Sequence, residues 1–327
     1  GKAMEQMAPR AALGAARVLA LLSVALAVPL RAPDAVAGDL PEQPPPISIH
    51  GSERPMPAVG FGTCCREADN GPALIKSIEA YLALGGRLID TAQLFDNHRD
   101  IAQAIRNSGL PREDIWVTSK LNVLALSSEF DVEKAVDTSL SELDMPSIDL
   151  MLLHGGGGGG FAIHPLKGEI LWRGLIAARI AGKVRNIGVS NHNQQEIEHL
   201  TFATGEAPAV NQLEYHPWVP AGTKALVQWC QREGITVTAY NSLGGQKNKA
   251  RGAEVTAIAK RYGVSNAQVL LRWALDKGVA VIPGATSESH IREDLDMAGV
   301  HIAKEDLEFL EHSAEPDDFK NWHNLME

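Results

Sequence analysis

Val184-Arg185-Asn186-Ile187-Gly188-Val189-Ser190-Asn191 is a short run rich in β-branched residues that ends in two polar side chains. A helical pattern follows over Gln194–Ala203, and a second run of the same kind, Ala209–Glu214, comes after it. Strand, helix and strand within about thirty residues make a βαβ unit with parallel strands. The unit recurs on both sides. Upstream strand patterns fall at Val59–Thr63, Arg87–Thr91, Ile115–Ser119 and Asp149–His154, and downstream ones at Thr236–Tyr240 and Val279–Pro283. Helical patterns separate them at Pro72–Leu84, Arg99–Ser108, Val132–Leu143, Glu169–Ala181, Lys224–Glu233 and Ala253–Lys277. The last of these breaks at Gly263, with Ser265 as the cap of its second half. Ser287–Met297 and Lys304–His312 add two further helices after the eighth strand.

Eight strands alternating with helices predict a (β/α)8 TIM barrel. Ile47–His50 and Met56–Val59 flank Gly51-Ser52-Glu53-Arg54, a hairpin expected to plug the N-terminal end. The competing open sheet needs Gly-x-Gly-x-x-Gly after its first strand. Here the stretch reads Gly60-Phe61-Gly62-Thr63-Cys64-Cys65, so the third glycine is missing.

The flanks read differently from the barrel. Lys2, Arg10 and Arg17 precede the apolar run Val18–Leu30, and Ala35-Val36-Ala37 stands just before Gly38. That order predicts a secretory-type signal over residues 1–37. Its apolar run is too short to span a bilayer, so no stable membrane span is expected once it is removed. An Arg-rich, nearly acid-free start also fits an organellar transit sequence. The expected location is the secretory pathway or an organelle, or the cytoplasm if the signal is not functional. Residues 38–46 form a Pro-rich linker with no expected packing, 47–315 the barrel, and 316–327 a C-terminal tail.

The 327 residues carry 30 Lys+Arg against 40 Asp+Glu, a formal charge of -10. Nucleic-acid binding needs a basic stripe, and none is present. Three cysteines make no disulfide framework, and the adjacent Cys64 and Cys65 are not expected to pair. No Cys/His spacing resembles a zinc site, so no metal is expected.

Barrel enzymes place their chemistry at the C-terminal ends of the strands. Those ends here carry Asp90-Thr91, Ser119-Lys120, His154, Ser190-Asn191, Asn211-Gln212 and Tyr240. Each alone has an ordinary reading as a cap, a solvated charge or a bonded core group. Six strands contributing ionisable and amide groups to one rim point to a site.

These residues resemble the aldo-keto reductase family. Leu88-Ile89-Asp90-Thr91-Ala92, Val117-Thr118-Ser119-Lys120-Leu121, Gly182–Asn191 and Asn211-Gln212-Leu213-Glu214-Tyr215-His216-Pro217 look like four of its signatures. The resemblance spans residues 47–315. It implies hydride transfer from NADPH, with NADH possible, to a small-molecule aldehyde or ketone, by a monomer. It also implies an Asp-Tyr-Lys-His tetrad. A phenol becomes an adequate acid only when a nearby ammonium lowers its pKa, aspartate holds that lysine, and histidine orients the carbonyl. Asp90, Lys120 and His154 match three members, but the tyrosine's place is taken by Phe95.

The pocket departs as well. Cys64, Asn122 and Gly155 stand where the resemblance expects an aromatic wall around substrate, in a pocket that also takes Phe95 and His154, and Gly155–Gly160 is a run of glycines. The implied cofactor half is better kept. Gly62, Thr63 and Asp90 line it, Ser190, Asn191 and Gln212 hold the carboxamide, and Tyr240 stacks on the ring. Ser242, Leu243 and Gly244 strap the pyrophosphate. Ala285, Thr286, His290, Glu293 and Asp294 take the adenosine end, where a loop enters a helix N-terminus. The family's Lys-Ser pair is here Gly284-Ala285 and its arginine is His290, so the grip on a 2′-phosphate is weakened. Two functions are compatible with this pattern: a carbonyl reductase with a modified acid, and a barrel that binds nucleotide without catalysis.

Overall fold

The structure, a computed structural model, describes residues 40–65, 69–155, 163–244 and 252–313. The predicted signal, Gly156–Gly160 of the glycine run and the C-terminal tail lie outside the described residues.

Eight parallel strands lie in sequence order: β1 Phe61–Gly62, β2 Leu88–Asp90, β3 Trp116–Leu121, β4 Ile148–His154, β5 Val184–Ser190, β6 Val210–Glu214, β7 Thr236–Tyr240 and β8 Ala280–Val281. The ring closes where Val281 N donates to Ala58 O at 2.9 Å and Gly60 N to Val281 O at 2.8 Å. The (β/α)8 expectation therefore holds. β1 and β8 are two residues each, shorter than the sequence predicts. Pro283 has no N–H for the ladder, so β8 stops early. Gly62 N still donates to Pro283 O at 2.9 Å.

The helices that cover the ring are α1 Gly71–Ala83, α2 His98–Ser108, α3 Glu129–Leu143, α4 Pro165–Ile180, α5 Gln194–Thr204 and α6 Ala221–Arg232. They continue with α7 Gly252–Tyr262, α8 Asn266–Leu275, α9 Glu288–Leu295 and α10 Lys304–His312. The break predicted at Gly263 is present. Ser265 caps α8 by accepting from Gln268 N at 3.2 Å, while Gln268 Oε1 accepts from Ser265 N at 3.0 Å. One large apolar core fills the layer between strands and helices, with Trp172 and Trp273 fully buried in it. A second core lies inside the ring at its N-terminal end.

Ile47 and Met56 exchange both backbone hydrogen bonds, at 2.7 and 2.8 Å. Met56 and Ile49 then pack with Leu88, Trp116 and Leu150 inside the ring, so the hairpin plugs the N-terminal end. Arg54 and Arg112 meet the fully buried Asp149 at 3.0 and 2.6 Å at that same end, which leaves the opposite mouth for chemistry.

Two expectations are corrected. The stretch before the hairpin does pack: Glu42 O accepts from Met297 N at 3.0 Å and Ala298 N at 2.8 Å, and Gln43 Nε2 donates to Gly85 O at 2.7 Å. Prolines block regular structure there, but the backbone groups between them remain available to the barrel. Cys64 and Cys65 are joined as a disulfide between neighbours, which simple adjacency had argued against. Cys65 takes a left-handed backbone, φ 75°, which a purely extended reading of the segment does not foresee.

Candidate active site

In a parallel strand alternate side chains point into the ring, so Asp90, Lys120 and His154 reach the mouth from three consecutive strands. The structure brings them together. Lys120 Nζ donates to Asp90 Oδ1 in a short ion pair and to Thr91 O at 2.9 Å. Gln212 Nε2 donates to the other carboxylate oxygen, Asp90 Oδ2, at 2.7 Å. Asp90 and Lys120 are both buried. A buried ion pair is costly unless further hydrogen bonds support it, and Thr91 O and Gln212 supply two here. Burial pushes the Lys120 ammonium below its usual pKa, and Asp90 opposes that shift.

His154 stands at the end of β4 beside this pair. Burial, with a smaller push from the Lys120 charge, lowers its pKa to about 3. The imidazole is therefore neutral near pH 7. A neutral ring presents one N–H and one lone pair, the form suited to hydrogen-bonding a carbonyl oxygen.

Phe95 completes the cluster. It ends a single 3₁₀ turn, Gln93–Phe95, closed by Asp96 in the left-handed region at φ 52°. The turn is tied down from the side: Gln93 Nε2 donates to Ala135 O at 2.9 Å, and Gln93 Oε1 accepts from Asn122 N at 2.9 Å. The Phe95 ring lies 5.1 Å from Lys120 Nζ and meets the His154 ring edge-on at 5.8 Å. Asn122 itself caps the next turn, its Oδ1 accepting from Leu124 N at 3.3 Å. Gly155 continues β4 into a bridge with Ser190.

Thr63 is committed to structure. Its hydroxyl donates to Asp90 O at 3.0 Å, and Asn97 Nδ2 donates to Thr63 O at 3.0 Å. Gly62 has a steric reason as well as an implied binding one. A Cβ there would stand 2.6 Å from Ile282 O, so β1 could not approach β8 with a side chain.

On the far side of the mouth, Asn191 follows β5 in the left-handed region, φ 59°, and its Oδ1 accepts from Tyr240 OH at 3.0 Å. Asparagine tolerates that conformation better than most residues. Ser190 Oγ donates to Gln212 O at 3.2 Å. Burial raises the Tyr240 phenol far above its usual pKa, with the Glu214 charge adding to the effect. The turn after β7 is built by Ser242 Oγ donating to Ala239 O at 2.9 Å and Gly244 N to Asn241 O at 2.8 Å. Buried Glu214 anchors that turn by accepting from Asn241 Nδ2 at 2.5 Å. Glu214 lies inside a sequence signature, yet nothing in its spacing assigns it this role.

Beyond the turn lies a cavity of about 300 Å³. Leu243, expected in the pyrophosphate strap, and Ala285, Thr286, His290, Glu293 and Asp294, expected at the adenosine end, line it. Gly284 and the start of α8, Ser265 and Asn266, line it too. Sequence reading missed the α8 contribution because it assigned Ser265 only as a cap. Among its described lining residues the cavity has two carboxylates and one imidazole, and neither Lys nor Arg. No group of three or more His, Cys, Asp or Glu poised for a metal occurs among the described residues. Nor, among those residues, is any helix long and apolar enough to cross a membrane.

An eight-stranded α/β barrel with a buried Asp–Lys pair and a neutral histidine at its C-terminal mouth defines a class of oxidoreductase scaffold. The chain belongs to the aldo/keto reductase family, whose sequence profile matches residues 59–315. The NAD/NADP-dependent indole-3-acetaldehyde reductase of Schizosaccharomyces pombe is 31% identical over 272 residues, covering 81% of this chain and 93% of that protein. The methylglyoxal reductase DkgB of Salmonella typhimurium is 33% identical, covering 77% of this chain and 90% of that protein. A Bombyx mori aldo-keto reductase crystallised with NADP superposes with a TM-score of 0.74 at 28% identity, covering 83% of this chain and 93% of that one.

Proposed function

We propose that this protein reduces a small aldehyde or ketone to an alcohol with a nicotinamide dinucleotide, NADPH or NADH, and that Phe95 makes the reaction slow or altered. The observation that carries this reading is the buried Asp90–Lys120 pair beside the neutral imidazole of His154. A barrel kept only for its shape has no use for a desolvated ammonium at its mouth.

The residues present fit the dinucleotide. Apolar Leu243 and Ala285 can pack on a base, while Asn266 and Thr286 offer polar edges. Asn191, Gln212 and Tyr240 bring amide and aromatic groups to the same mouth beside Asp90, as a nicotinamide requires. When bound, the dinucleotide supplies the hydride.

The chain's own groups supply the rest. His154 donates its N–H to the carbonyl oxygen and orients the substrate. Lys120 stabilises the negative charge that develops there, and Asp90 holds Lys120 in place. Phe95 has no O–H, and a neutral imidazole gives up its proton only at very high pH. The proton for the alkoxide therefore comes from water held by the Lys120 ammonium. Small side chains at Cys64, Asn122 and Gly155, in place of large aromatic ones, leave room for a compact carbonyl compound.

Titrating the purified full chain with NADPH and NADH, while following nicotinamide fluorescence, and then adding a panel of carbonyl compounds tests the reading. Binding followed by slow turnover supports it, and failure to bind either nucleotide refutes it. A second reading, a nucleotide-binding barrel without catalysis, is favoured by Phe95 alone. It predicts binding with no turnover on any carbonyl.

A further inference from the structure

The loop after β1 holds two thiol-bearing residues side by side, and the reductase chemistry uses neither sulfur. We propose that Cys64 and Cys65 form a reversible two-electron redox site at the mouth of the barrel, closing to a disulfide by exchange with a small-molecule disulfide. The structure records them in the closed form. Cys65 is exposed and Cys64 half-buried, so an external disulfide can reach the pair.

The described residues flanking the pair are held in place. Asn97 Nδ2 donates to Thr63 O at 3.0 Å on one side of the pair and to Asp69 O at 3.2 Å on the other. Asn97 is in turn fixed by Thr91, whose hydroxyl donates to Asn97 Oδ1 at 2.7 Å. Thr63 and Asp69, the described residues on either side of the pair, are therefore held by one buried side chain. Holding two reacting groups on adjacent residues favours their ring closure over a lasting bond to an outside thiol.

The exchange balances without another reagent. The thiolate of one cysteine attacks a sulfur of the external disulfide and expels one small thiol, leaving a mixed disulfide. The neighbouring thiolate attacks the protein sulfur of that bond and expels the second small thiol. The two protein sulfurs are oxidised, the external disulfide is reduced to two thiols, and the two protons lost by the cysteines are taken up by those thiols. Cys230, the third cysteine, is an internal control. It is buried, and burial raises its pKa to about 11, so it stays protonated and unreactive in the fold.

The full chain is reduced, freed of reductant and incubated with glutathione disulfide. It is then unfolded, alkylated and weighed intact, and the peptide carrying residues 64 and 65 is sequenced by mass spectrometry. The wild-type chain should lose two hydrogens, keep no glutathione and alkylate only at Cys230. Cys65→Ser removes the resolving thiol, so it should retain one glutathione on Cys64. Cys230→Ser should still close the pair. A wild-type chain that retains glutathione adducts, or that alkylates at all three cysteines, overturns the proposal.

Discussion

The Phe95 and His154 rings stand at 88° to each other with centroids 5.8 Å apart. Lys120 Nζ sits 5.1 Å from the Phe95 centroid. The phenyl ring thus packs beside both the ammonium and the imidazole. It offers no proton of its own. That pairing of an intact charge cluster with an inert ring governs what the protein is expected to do.

Removing the carboxylate should cost more than removing the pair. Asp90→Asn leaves the buried Lys120 ammonium without its counter-charge, a loss of about 3–5 kcal/mol. Adding Lys120→Met to that variant should recover a large part of the loss. Urea denaturation of the two singles and the double gives the coupling, and strict additivity would mean that the two side chains do not interact in solution.

Acid should weaken the fold through His154. Its folded pKa of about 3 is below the unfolded value near 6.5, so the unfolded chain binds the extra proton. The stability that comes from keeping the ring neutral is complete above about pH 6.5 and falls as pH drops toward 3, by up to about 1.4 kcal/mol per pH unit. His154→Gln should flatten that part of the stability–pH curve measured by chemical denaturation. An unchanged acid limb would show that His154 titrates normally.

The adenosine cavity should discriminate poorly between dinucleotides. A 2′-phosphate adds negative charge beside Glu293 and Asp294, and no Lys or Arg lines the described cavity to meet it. NADPH and NADH affinities should therefore lie within about tenfold of each other, and Gly284→Lys should shift the ratio toward NADPH by about that factor. Fluorescence titration reads both. A strong NADPH preference in the unmodified chain would contradict this.

Gly62→Ala should destabilise the barrel by about 1–3 kcal/mol, because the added methyl would meet Ile282 O at 2.6 Å and force β1 from β8. Thermal unfolding checks it, and an unchanged midpoint would show that the seam has slack.

Much of this was open to reading in one dimension. Asp90, Lys120 and His154 each end a strand, and strand ends in a barrel converge whatever the loops do. The α8 cap at Ser265 was legible from the break at Gly263 just before it. What could not be read depends on ring register or on turns. Gln212 reaches Asp90 across 122 residues, and no local pattern announces that contact. Gln93 fixes the Phe95 turn through Asn122, and Ser265 meets Thr286 at one cavity, for the same reason. The joining of Cys64 and Cys65, and the left-handed backbone of Cys65, have no signature in composition.

Phe95→Tyr tests the central claim most directly. Steady-state reduction of a small aldehyde by NADPH is compared between the wild-type chain and the variant, with dinucleotide affinity measured alongside. The account predicts that kcat rises by about 10²–10⁴-fold while nucleotide binding stays within a few-fold, since only the missing acid is restored. Equal rates in the two proteins, with nucleotide bound in both, would contradict it.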